Sequence, residues 1–385
     1  MTAKVRALPS SRKRDVPADR LDVTILSIAT ALLVVGLVMN LSASSIPSAE
    51  ATGSAFTFAA RQFIGAILGL GALVTLARLD YRRFRGWSYL AVPLVWILLL
   101  ITLLPGVGTR AGGATRWIDF GPFGLQPSEA AKLVAVVFGA DVLSRKLDRL
   151  DDWRHLVVPY LAAMGFTAVL VLMQPDFGTT VIIGITAMLL AYLAGARLTH
   201  LGSITAAAVI VGVPLMLSEG YRRARIFGFF NASEDLLNTG WQATQGLVAL
   251  GSGGLFGVGL GASRQKYLYL PNAYTDFIFA ILGEETGLVG ALVTVALFGA
   301  LAVLGVRAAR RAPDAFGFLI ASGVTAWISL QAVINIGAVC GLLPITGVPL
   351  PLISFGSSSL VFSLAGLGLV ASVARQGTTR PKPTS

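Results

Sequence analysis

The chain has few of the residues that enzymes most often use to bind transition metals or to build nucleophilic triads. Its 385 residues include two histidines and a single cysteine, Cys340. One cysteine excludes an intramolecular disulfide, and a zinc site made of histidine and cysteine ligands is excluded with it. A serine–histidine–aspartate triad has equally little to draw on. A divalent cation such as Mg²⁺ or Mn²⁺, bound by oxygen ligands, stays open as a cofactor.

Charged residues are also scarce, and long apolar runs take their place. Charged residues make up 13% of the chain, against about 25% in an ordinary soluble domain, while 55% of residues are hydrophobic. Backbone polar groups need partners in lipid, so runs close to the ~20 residues that cross a bilayer must be helices. We therefore predict an all-α polytopic membrane protein with about ten transmembrane helices. The predicted spans are 23–45, 56–78, 87–105, 127–144, 156–173, 178–196, 201–217, 274–305, 315–340 and 350–374.

The basic residues predict the orientation of these spans. Most of the 30 lysines and arginines fall in alternate loops, which the positive-inside rule places in the cytoplasm together with both termini. Topology and anionic headgroups explain the formal charge of +11, so nucleic acid is not expected as a partner. We predict a disordered tail over 1–21, one transmembrane domain over 22–375 and a second tail over 376–385. The longest loop, about 218–272 between spans seven and eight, then faces the outside.

That loop carries basic residues, although the positive-inside rule predicts few of them on the outer side. Arg222, Arg225 and Lys266 lie in it. Arginine forks match the oxygens of phosphate and pyrophosphate, so an anion-binding surface is one interpretation. A solvated loop that tolerates its charges is the other.

Three carboxylates follow the loop in "YLPNAYTDFIFAILGEETGLVG": Asp276 at the start of an apolar run, then Glu284 and Glu285. A charge inside a span costs about 2.5–3.5 kcal/mol, so the glutamates must face protein or water. Helix geometry puts Glu284 roughly 12 Å deeper than Asp276 and turns Glu285 to the opposite side. One small site cannot hold all three. Asp276 is left as a general base for a hydroxyl nucleophile, or, with Thr275, as a helix N-cap.

Other outer helix ends supply further polar groups. Glu129 and Lys132 are spaced i,i+3 on the fourth span, so they either pair in the interior or leave Lys132 for substrate. Asp176, in "QPDFGTT", caps the next helix or pairs with a loop arginine. In "GLLPITGVPLPLISFGSSSL" the prolines and glycines predict a broken helix that lines a cavity. Its Ser357 and Ser358 either bind substrate or pack between helices.

Five segments, in this order, resemble the SEDS family of shape, elongation, division and sporulation proteins. They are "GATRWI…QPSEAAKL", "QPDFGT", "ALGSGGLFGVGLG", "LPNAYTDFIFAILGEETG" and "NIGAVCGLLPITGVPLPLISFGSSSL". The resemblance covers about 22–375. The family includes FtsW and RodA, and "VMNLSASS" at the end of the first span is closer to the FtsW branch.

The resemblance implies a peptidoglycan glycosyltransferase that polymerises lipid II outside the cytoplasmic membrane. The family's candidate catalytic aspartate falls on Asp276, and its buried pair falls on Glu129 and Lys132. Trp117 is expected either to stack on a sugar or to sit in the interfacial aromatic belt. A class B penicillin-binding protein transpeptidase is the implied partner, with other divisome or elongasome membrane proteins. The candidates to hold the pyrophosphate are Arg116, Arg222, Arg225 and Lys266.

The chain departs from the family near its aspartate. Asn272 and Tyr274 replace a Glu and a His, Gly246 replaces a serine, and Phe355 and Ser357 replace a Tyr and a Gly. Two other functions fit the composition. A lipid II flippase would need polar access from both sides of the membrane, and a non-catalytic divisome scaffold would need no base.

Overall fold

The computed structural model describes residues 20–104, 108–111, 114–121, 124–147, 150, 152, 154, 157–218 and 239–378. These residues are mostly helical, with three short strands between the third and fourth helices. The helices are α1 Leu21–Thr52, α2 Thr57–Arg78, α3 Ser88–Leu103, α4 Pro127–Ser144, α5 Ala162–Met173, α6 Phe177–Leu193, α7 Leu198–Ser218, α8 Thr239–Ser252, α9 Ile278–Arg310, α10 Ala315–Val339 and α11 Ser357–Thr378. The strands are β1 Thr109–Ala111, β2 Ala114–Asp119 and β3 Gly124–Leu125.

The apolar helices follow the predicted spans closely. Five of them, α1, α2, α9, α10 and α11, are long and apolar enough to cross a membrane, and α3, α5, α6 and α7 are shorter apolar helices. The fourth predicted span, 127–144, coincides with α4. Its buried Glu129, Lys132 and Asp141 lower its hydropathy. The total of ten spans stays a prediction.

The last predicted span was wrong at both ends. We expected it over 350–374, but α11 begins at Ser357 and continues to Thr378, into the predicted tail. Residues 341–356 are not helical. Pro349 and Pro351 lack the amide that a helix needs, and Gly347 has a positive φ of 74°. The predicted break is therefore an irregular segment, 341–356, between two helices.

The segment before α4, which we predicted to lie outside the membrane, forms a small antiparallel sheet that the sequence did not predict. Its strand order is β1-β2-β3, with Ile118 opposite Leu125. Strands of two to six residues are too short to show a period in the sequence. This sheet holds Arg116 and Trp117 next to the bundle.

The predicted outer loop, 218–272, is more structured than expected. It contains α8, followed by a series of turns up to α9. Residues 219–238 lie outside the described part of the chain, and Arg222 and Arg225 with them.

Small residues allow the helices to approach closely. At Gly65 in α2, an added Cβ would lie 2.8 Å from the Cβ of Ser357 in α11. At Gly368 in α11, it would lie 2.7 Å from the carbonyl oxygen of Leu73. Small residues at such crossings are typical of membrane helices, where close backbone packing holds the bundle together.

Helix α9 is interrupted near its start, and the preceding loop fills the interruption. Gly287 has φ 68° and ψ −170°, which no helix contains. The loop 254–259 supplies the missing partners through four backbone hydrogen bonds: Val258 N to Glu284 O, Gly259 N to Glu285 O, Leu288 N to Gly254 O and Val289 N to Leu255 O. In a continuous helix the same four groups would form two intrahelical bonds, Leu288 N to Glu284 O and Val289 N to Glu285 O, so the loop satisfies both donors and both acceptors that the break leaves.

Two loop glycines give a matched test of this insertion. Gly257 (φ 81°) and Gly261 (φ 79°) both lie in the left-handed region, so alanine costs each about 1–2 kcal/mol. At Gly257 an added Cβ would also lie 2.2 Å from the carbonyl oxygen of Glu285, whereas nothing lies within 4 Å of one at Gly261. We expect Gly257→Ala to lower the thermal unfolding midpoint much more than Gly261→Ala. Equal losses would contradict the insertion.

Asp314 is the centre of a charged cluster at the end of the bundle where the turn after α2 meets α10. The carboxylate of Asp314 accepts hydrogen bonds from the Gly317 amide (2.8 Å), Arg82 Nε (2.7 Å) and the Tyr81 hydroxyl (3.0 Å). Burial raises the pKa of Asp314, but these three hydrogen bonds outweigh it and the pKa is lowered overall. The cluster joins the turn after α2 to the start of α10.

Because of this lowered pKa, the stabilisation that the Asp314 cluster contributes depends on pH. A carboxyl group whose pKa is lower in the folded state than in the unfolded state stabilises the fold at pH values above its unfolded pKa, about 4. That stabilisation is lost as the pH falls below this value. We expect Asp314→Asn to lower the thermal midpoint at pH 7 and to differ less from wild type at about pH 3. The exposed Glu50 provides a control, Glu50→Gln, that should match wild type at both pH values. A difference that acid leaves unchanged would rule out this linkage.

Candidate active site at the start of α9

Asp276 lies in a turn just outside α9. The helix begins at Ile278 and its N-cap residue is Phe277, so neither Thr275 nor Asp276 occupies the capping position expected from the sequence. The side chain of Asp276 is half-buried. The carboxylate is therefore positioned by a turn rather than by a regular helix.

The sequence explains why this turn forms. Asn272 adopts a left-handed conformation, φ 57°, which asparagine tolerates better than most residues. Its carbonyl oxygen accepts hydrogen bonds from the amides of Thr275 (3.1 Å) and Phe277 (3.2 Å). The hydroxyl of Thr275 reaches the same oxygen at 3.3 Å. The turn is thus closed by its own backbone.

Three carbonyl oxygens of this turn are held by groups from elsewhere. The oxygen of Tyr274 accepts from the Phe355 amide at 3.0 Å, and that of Thr275 from the Ser354 hydroxyl at 2.6 Å. The oxygen of Asp276 accepts from Asn335 Nδ2 at 2.8 Å. These contacts fix the backbone beneath the carboxylate to α10 and to the segment 341–356.

A pocket opens between this turn, α10 and the segment 341–356. Its cavity volume is about 10 Å³, room for roughly one water molecule. Its walls combine one carboxylate, one amide and one hydroxyl with apolar side chains. It is lined by Asp276, Phe277, Asn335, Ala338, Val339, Ile345, Thr346, Gly347 and Val348.

Several departures from the SEDS pattern meet beside the aspartate. Tyr274, Phe355 and Phe58 form an aromatic cluster with ring centroids 5.3–5.6 Å apart. Burial, and then the charge of Asp276, raise the pKa of Tyr274, so a neutral phenol stands where the family has a histidine. Gly246 makes room for the Phe277 ring, which would lie 3.0 Å from an added Cβ. The residues at 274 and 355 therefore pack against each other, while Gly246 packs against the ring that follows the aspartate.

A buried polar chain runs beneath the pocket. Lys132 Nζ lies 2.8 Å from both Glu129 carboxylate oxygens and donates to Gln331 Oε1 at 2.8 Å. Gln331 Oε1 also accepts from Trp327 Nε1 at 2.9 Å, and Gln331 Nε2 donates to the Pro349 oxygen at 2.9 Å. The ion pair expected from the i,i+3 spacing is thus present. Both of its side chains are 1% exposed.

Sequence reasoning missed Gln331 and Asn335 as members of this site. They lie one turn apart on the same face of α10, and both are buried. The signal was present, because two amides four residues apart inside an apolar span need partners.

Glu284 and Glu285 both bind the loop before the turn instead of the pocket. Glu284 accepts from the Ser263 hydroxyl and from the amides of Arg264 (3.0 Å) and Gln265 (3.4 Å). Glu285 accepts from the Ser42 hydroxyl at 2.5 Å. The two glutamates hold the loop against α9 and α1.

Lys266 lies in the interior and contacts groups of the protein itself. Its side chain is 5% exposed, and its Nζ lies 3.7 Å from Glu285, 3.2 Å from the Ser42 hydroxyl and 2.5 Å from the Gly261 oxygen. The carboxylate of Glu285 already balances its charge. Lys266 thus belongs to an internal network in this structure, and its assignment to substrate binding stays a prediction.

Arg116 connects the small sheet to the turn between α5 and α6. Its Nε donates to the Gln174 oxygen at 2.8 Å and its Nη2 to the Pro175 oxygen, while Nη1 lies 4.0 Å from Asp176. Asp176 also caps α6 by accepting from the Thr179 amide at 3.1 Å. The capping role expected of Asp176 is thus seen. Its cationic neighbour is Arg116 of β2, and pairing with an arginine of the 218–272 loop stays a prediction.

The remaining candidate residues differ in how far they can reach a ligand. Trp117 is partly exposed and packs against Gly124, so its expected roles stay predictions. Ser357 and Ser358 are buried, and their hydroxyls donate to the oxygens of Arg61 (3.0 Å) and Gly124 (2.6 Å). Ser357 thus binds α2 and Ser358 binds β3, and substrate contact by either serine stays a prediction.

A divalent cation stays an expectation from the sequence. Among the described residues, no group of three or more His, Cys, Asp or Glu side chains is placed to hold a metal ion.

The fold and the site define a multi-pass α-helical membrane protein with ionisable groups buried inside its bundle and a carboxylate at a helix mouth. The model of the FtsW, RodA and SpoVE cell cycle proteins matches residues 23–379. The chain therefore belongs to this family, the SEDS family expected from its motifs.

Individual relatives match over nearly the whole chain. Stage V sporulation protein E of Bacillus subtilis is 42% identical over 355 residues, which are 92% of this chain and 97% of the relative. The probable peptidoglycan glycosyltransferase FtsW of Geobacter metallireducens is 39% identical over 373 residues, 95% of this chain and 96% of the relative.

Solved structures agree with this relationship. A chain of a peptidoglycan synthase complex, studied for the coordination of polymerization and crosslinking, matches with a TM-score of 0.74 and 28% identity. That match covers 93% of this chain and 98% of the other. The rod shape determining protein RodA of Thermus thermophilus matches with a TM-score of 0.65 and 28% identity, over 92% of this chain and 96% of RodA.

Proposed function

We propose that the chain is a peptidoglycan glycosyltransferase that polymerises lipid II on the outer face of the bacterial cytoplasmic membrane. The observation that carries this proposal is the carboxylate of Asp276, half-buried at a pocket and fixed through its backbone to Asn335. Relatives named as probable peptidoglycan glycosyltransferases support it.

The reaction needs one base and no acid. Asp276 takes the proton of the acceptor sugar's 4-hydroxyl as that oxygen attacks the anomeric carbon of the donor. The bond from that carbon to the undecaprenyl pyrophosphate breaks, the pyrophosphate leaves with the bonding electrons, and the configuration inverts. Pyrophosphate is a stable anion, so its departure requires positive charge rather than a proton. A single reactive carboxylate is therefore sufficient.

Positive charge for the leaving group has to come from the outer segments. Arg116, at 23% side-chain exposure, is the described candidate. Arg222 and Arg225 remain candidates in the segment outside the described residues. Guanidinium groups suit this task because their paired donors match phosphate oxygens.

The membrane orientation and the partner follow from the same proposal. Both termini and the rim that holds Asp314 face the cytoplasm, in keeping with the positive-inside rule. The partner is a class B penicillin-binding protein transpeptidase, which would crosslink the glycan as it forms. Structural similarity to a chain of a peptidoglycan synthase complex supports this pairing.

Polymerisation of lipid II by the purified full-length chain in liposomes, with and without the transpeptidase, tests the proposal. Long glycan on a gel is the expected product. If no glycan forms even with the partner while lipid II still binds, a divisome scaffold becomes the better function. If labelled lipid II crosses the bilayer without being polymerised, the chain is a flippase.

A further inference from the structure

The loop 253–262, which follows α8, contains only glycine and apolar residues. Its larger side chains are nevertheless exposed: Leu255, Val258, Leu260 and Phe256, the last of them 81% exposed. A contiguous exposed apolar patch marks a contact with a membrane or with another protein. This loop therefore needs an apolar partner.

Backbone hydrogen bonds place the loop beside the exposed apolar face of α9. The Leu288 amide donates to the Gly254 oxygen at 2.9 Å, and the Val289 amide donates to the Leu255 oxygen at 3.2 Å. Leu288 and Val289 are themselves exposed, and Leu292, one turn further along, continues the same face. Because α9 is long and apolar enough to cross a membrane, this face is the one that meets acyl chains. The apolar side chains of the loop extend it.

The break in α9 coincides with one edge of the hydrocarbon core. Residues 288–306, between Gly287 and Arg307, include no charged side chain and span about 29 Å at 1.5 Å per residue. The hydrocarbon core of a bilayer is about 30 Å thick, so Arg307 and the break lie at opposite boundaries. Glu284 and Glu285, which precede the break, then lie beyond the core. The loop is bonded at the break, so it lies at the boundary itself.

We infer that the loop 253–262 is a lipid-binding surface, whose Leu255, Phe256 and Leu260 insert among acyl chains at the boundary opposite Arg307. The loop's own backbone is prepared for this contact, because four of its polar groups are bonded to α9. The insertion fixes the depth of the chain that leads on to Asp276, and it holds that carboxylate beyond the hydrocarbon core. The contact itself does not depend on whether the chain polymerises lipid II.

The accessibility of a spin label in nanodiscs of phosphatidylethanolamine and phosphatidylglycerol tests this inference. Cys340 is the single cysteine, so Cys340→Ala gives a background in which Phe256→Cys carries the only label on the full-length chain. Molecular oxygen concentrates among acyl chains, whereas a water-soluble nickel complex is excluded from them. We expect the ratio of oxygen to nickel collisions at 256 to be severalfold higher than for Glu50→Cys, at an exposed position near the end of α1. It should approach that of Val303→Cys, on an exposed face of α9.

Two results would overturn the inference. A label at 256 with the same collision ratio as the label at 50 would show that water solvates the loop. Low collision rates with both reagents would show that protein covers the loop instead of lipid. Leu260→Cys reports on the same surface and should give the same high ratio, so the test still decides the question if Phe256→Cys does not fold.

Discussion

Asp276→Asn is expected to reduce the rate of glycan polymerisation by a factor of about 10²–10⁴, the usual contribution of a general base. The amide has nearly the same shape as the carboxylate but cannot accept the proton of a sugar hydroxyl. The backbone contacts of the turn, through Asn335 and Ser354, do not involve the carboxylate and should persist. The loss should therefore appear in kcat, with lipid II binding retained.

Matched controls distinguish loss of the base from loss of structure. Glu50→Gln removes an exposed carboxylate elsewhere and should polymerise as wild type does. The thermal midpoint of Asp276→Asn should stay close to that of wild type. A variant that polymerises within about twofold of wild type would remove Asp276 from the mechanism.

Lys132→Met is expected to lower the free energy of unfolding by about 3–5 kcal/mol. The substitution leaves the carboxylate of Glu129, 1% exposed, without its counter-charge inside the bundle. Gln331 is affected less, because Trp327 Nε1 continues to donate to its Oε1. Thermal unfolding of the purified variant in detergent measures the loss.

The double variant Glu129→Leu with Lys132→Met tests the reason for this loss. Replacing both partners by apolar side chains removes the stranded charge, so most of the stability should return. Equal destabilisation in the single and double variants would show that the pair itself is not the cause. Polymerisation by a stable double variant would mean that Lys132 does not contact substrate, whereas its absence would place Lys132 in the reaction.

Patterns within one segment were enough to predict the helices and the buried pair. Hydropathy located α4 as 127–144, and the i,i+3 spacing anticipated the contact between Glu129 and Lys132. The prolines of the last outer segment indicated a break, although the start of α11 was placed seven residues early, at 350 instead of Ser357. Local chemistry determines these features, so a single sequence reveals them.

The contacts of individual polar groups could not be predicted in the same way. Lys266 contacts the Ser42 hydroxyl of α1, and Ser357 and Ser358 donate to backbone oxygens of distant segments. Whether a serine meets a carbonyl or a ligand depends on tertiary packing, which has no local period. Nothing in the sequence indicates that the backbone oxygens of Gly124 and Gly261 accept hydrogen bonds from these side chains.

The break in α9 also has a consequence for how the chain is assembled. The carbonyl oxygens of Glu284 and Glu285 receive their hydrogen bonds from Val258 and Gly259, which leave the ribosome earlier than α9 does. Until that loop is in place, α9 would enter the bilayer with exposed backbone groups, which lipid does not tolerate. The span and the loop before it must therefore be inserted as one unit. A biosynthetic intermediate truncated after 277 would hold a loop with nothing to dock on.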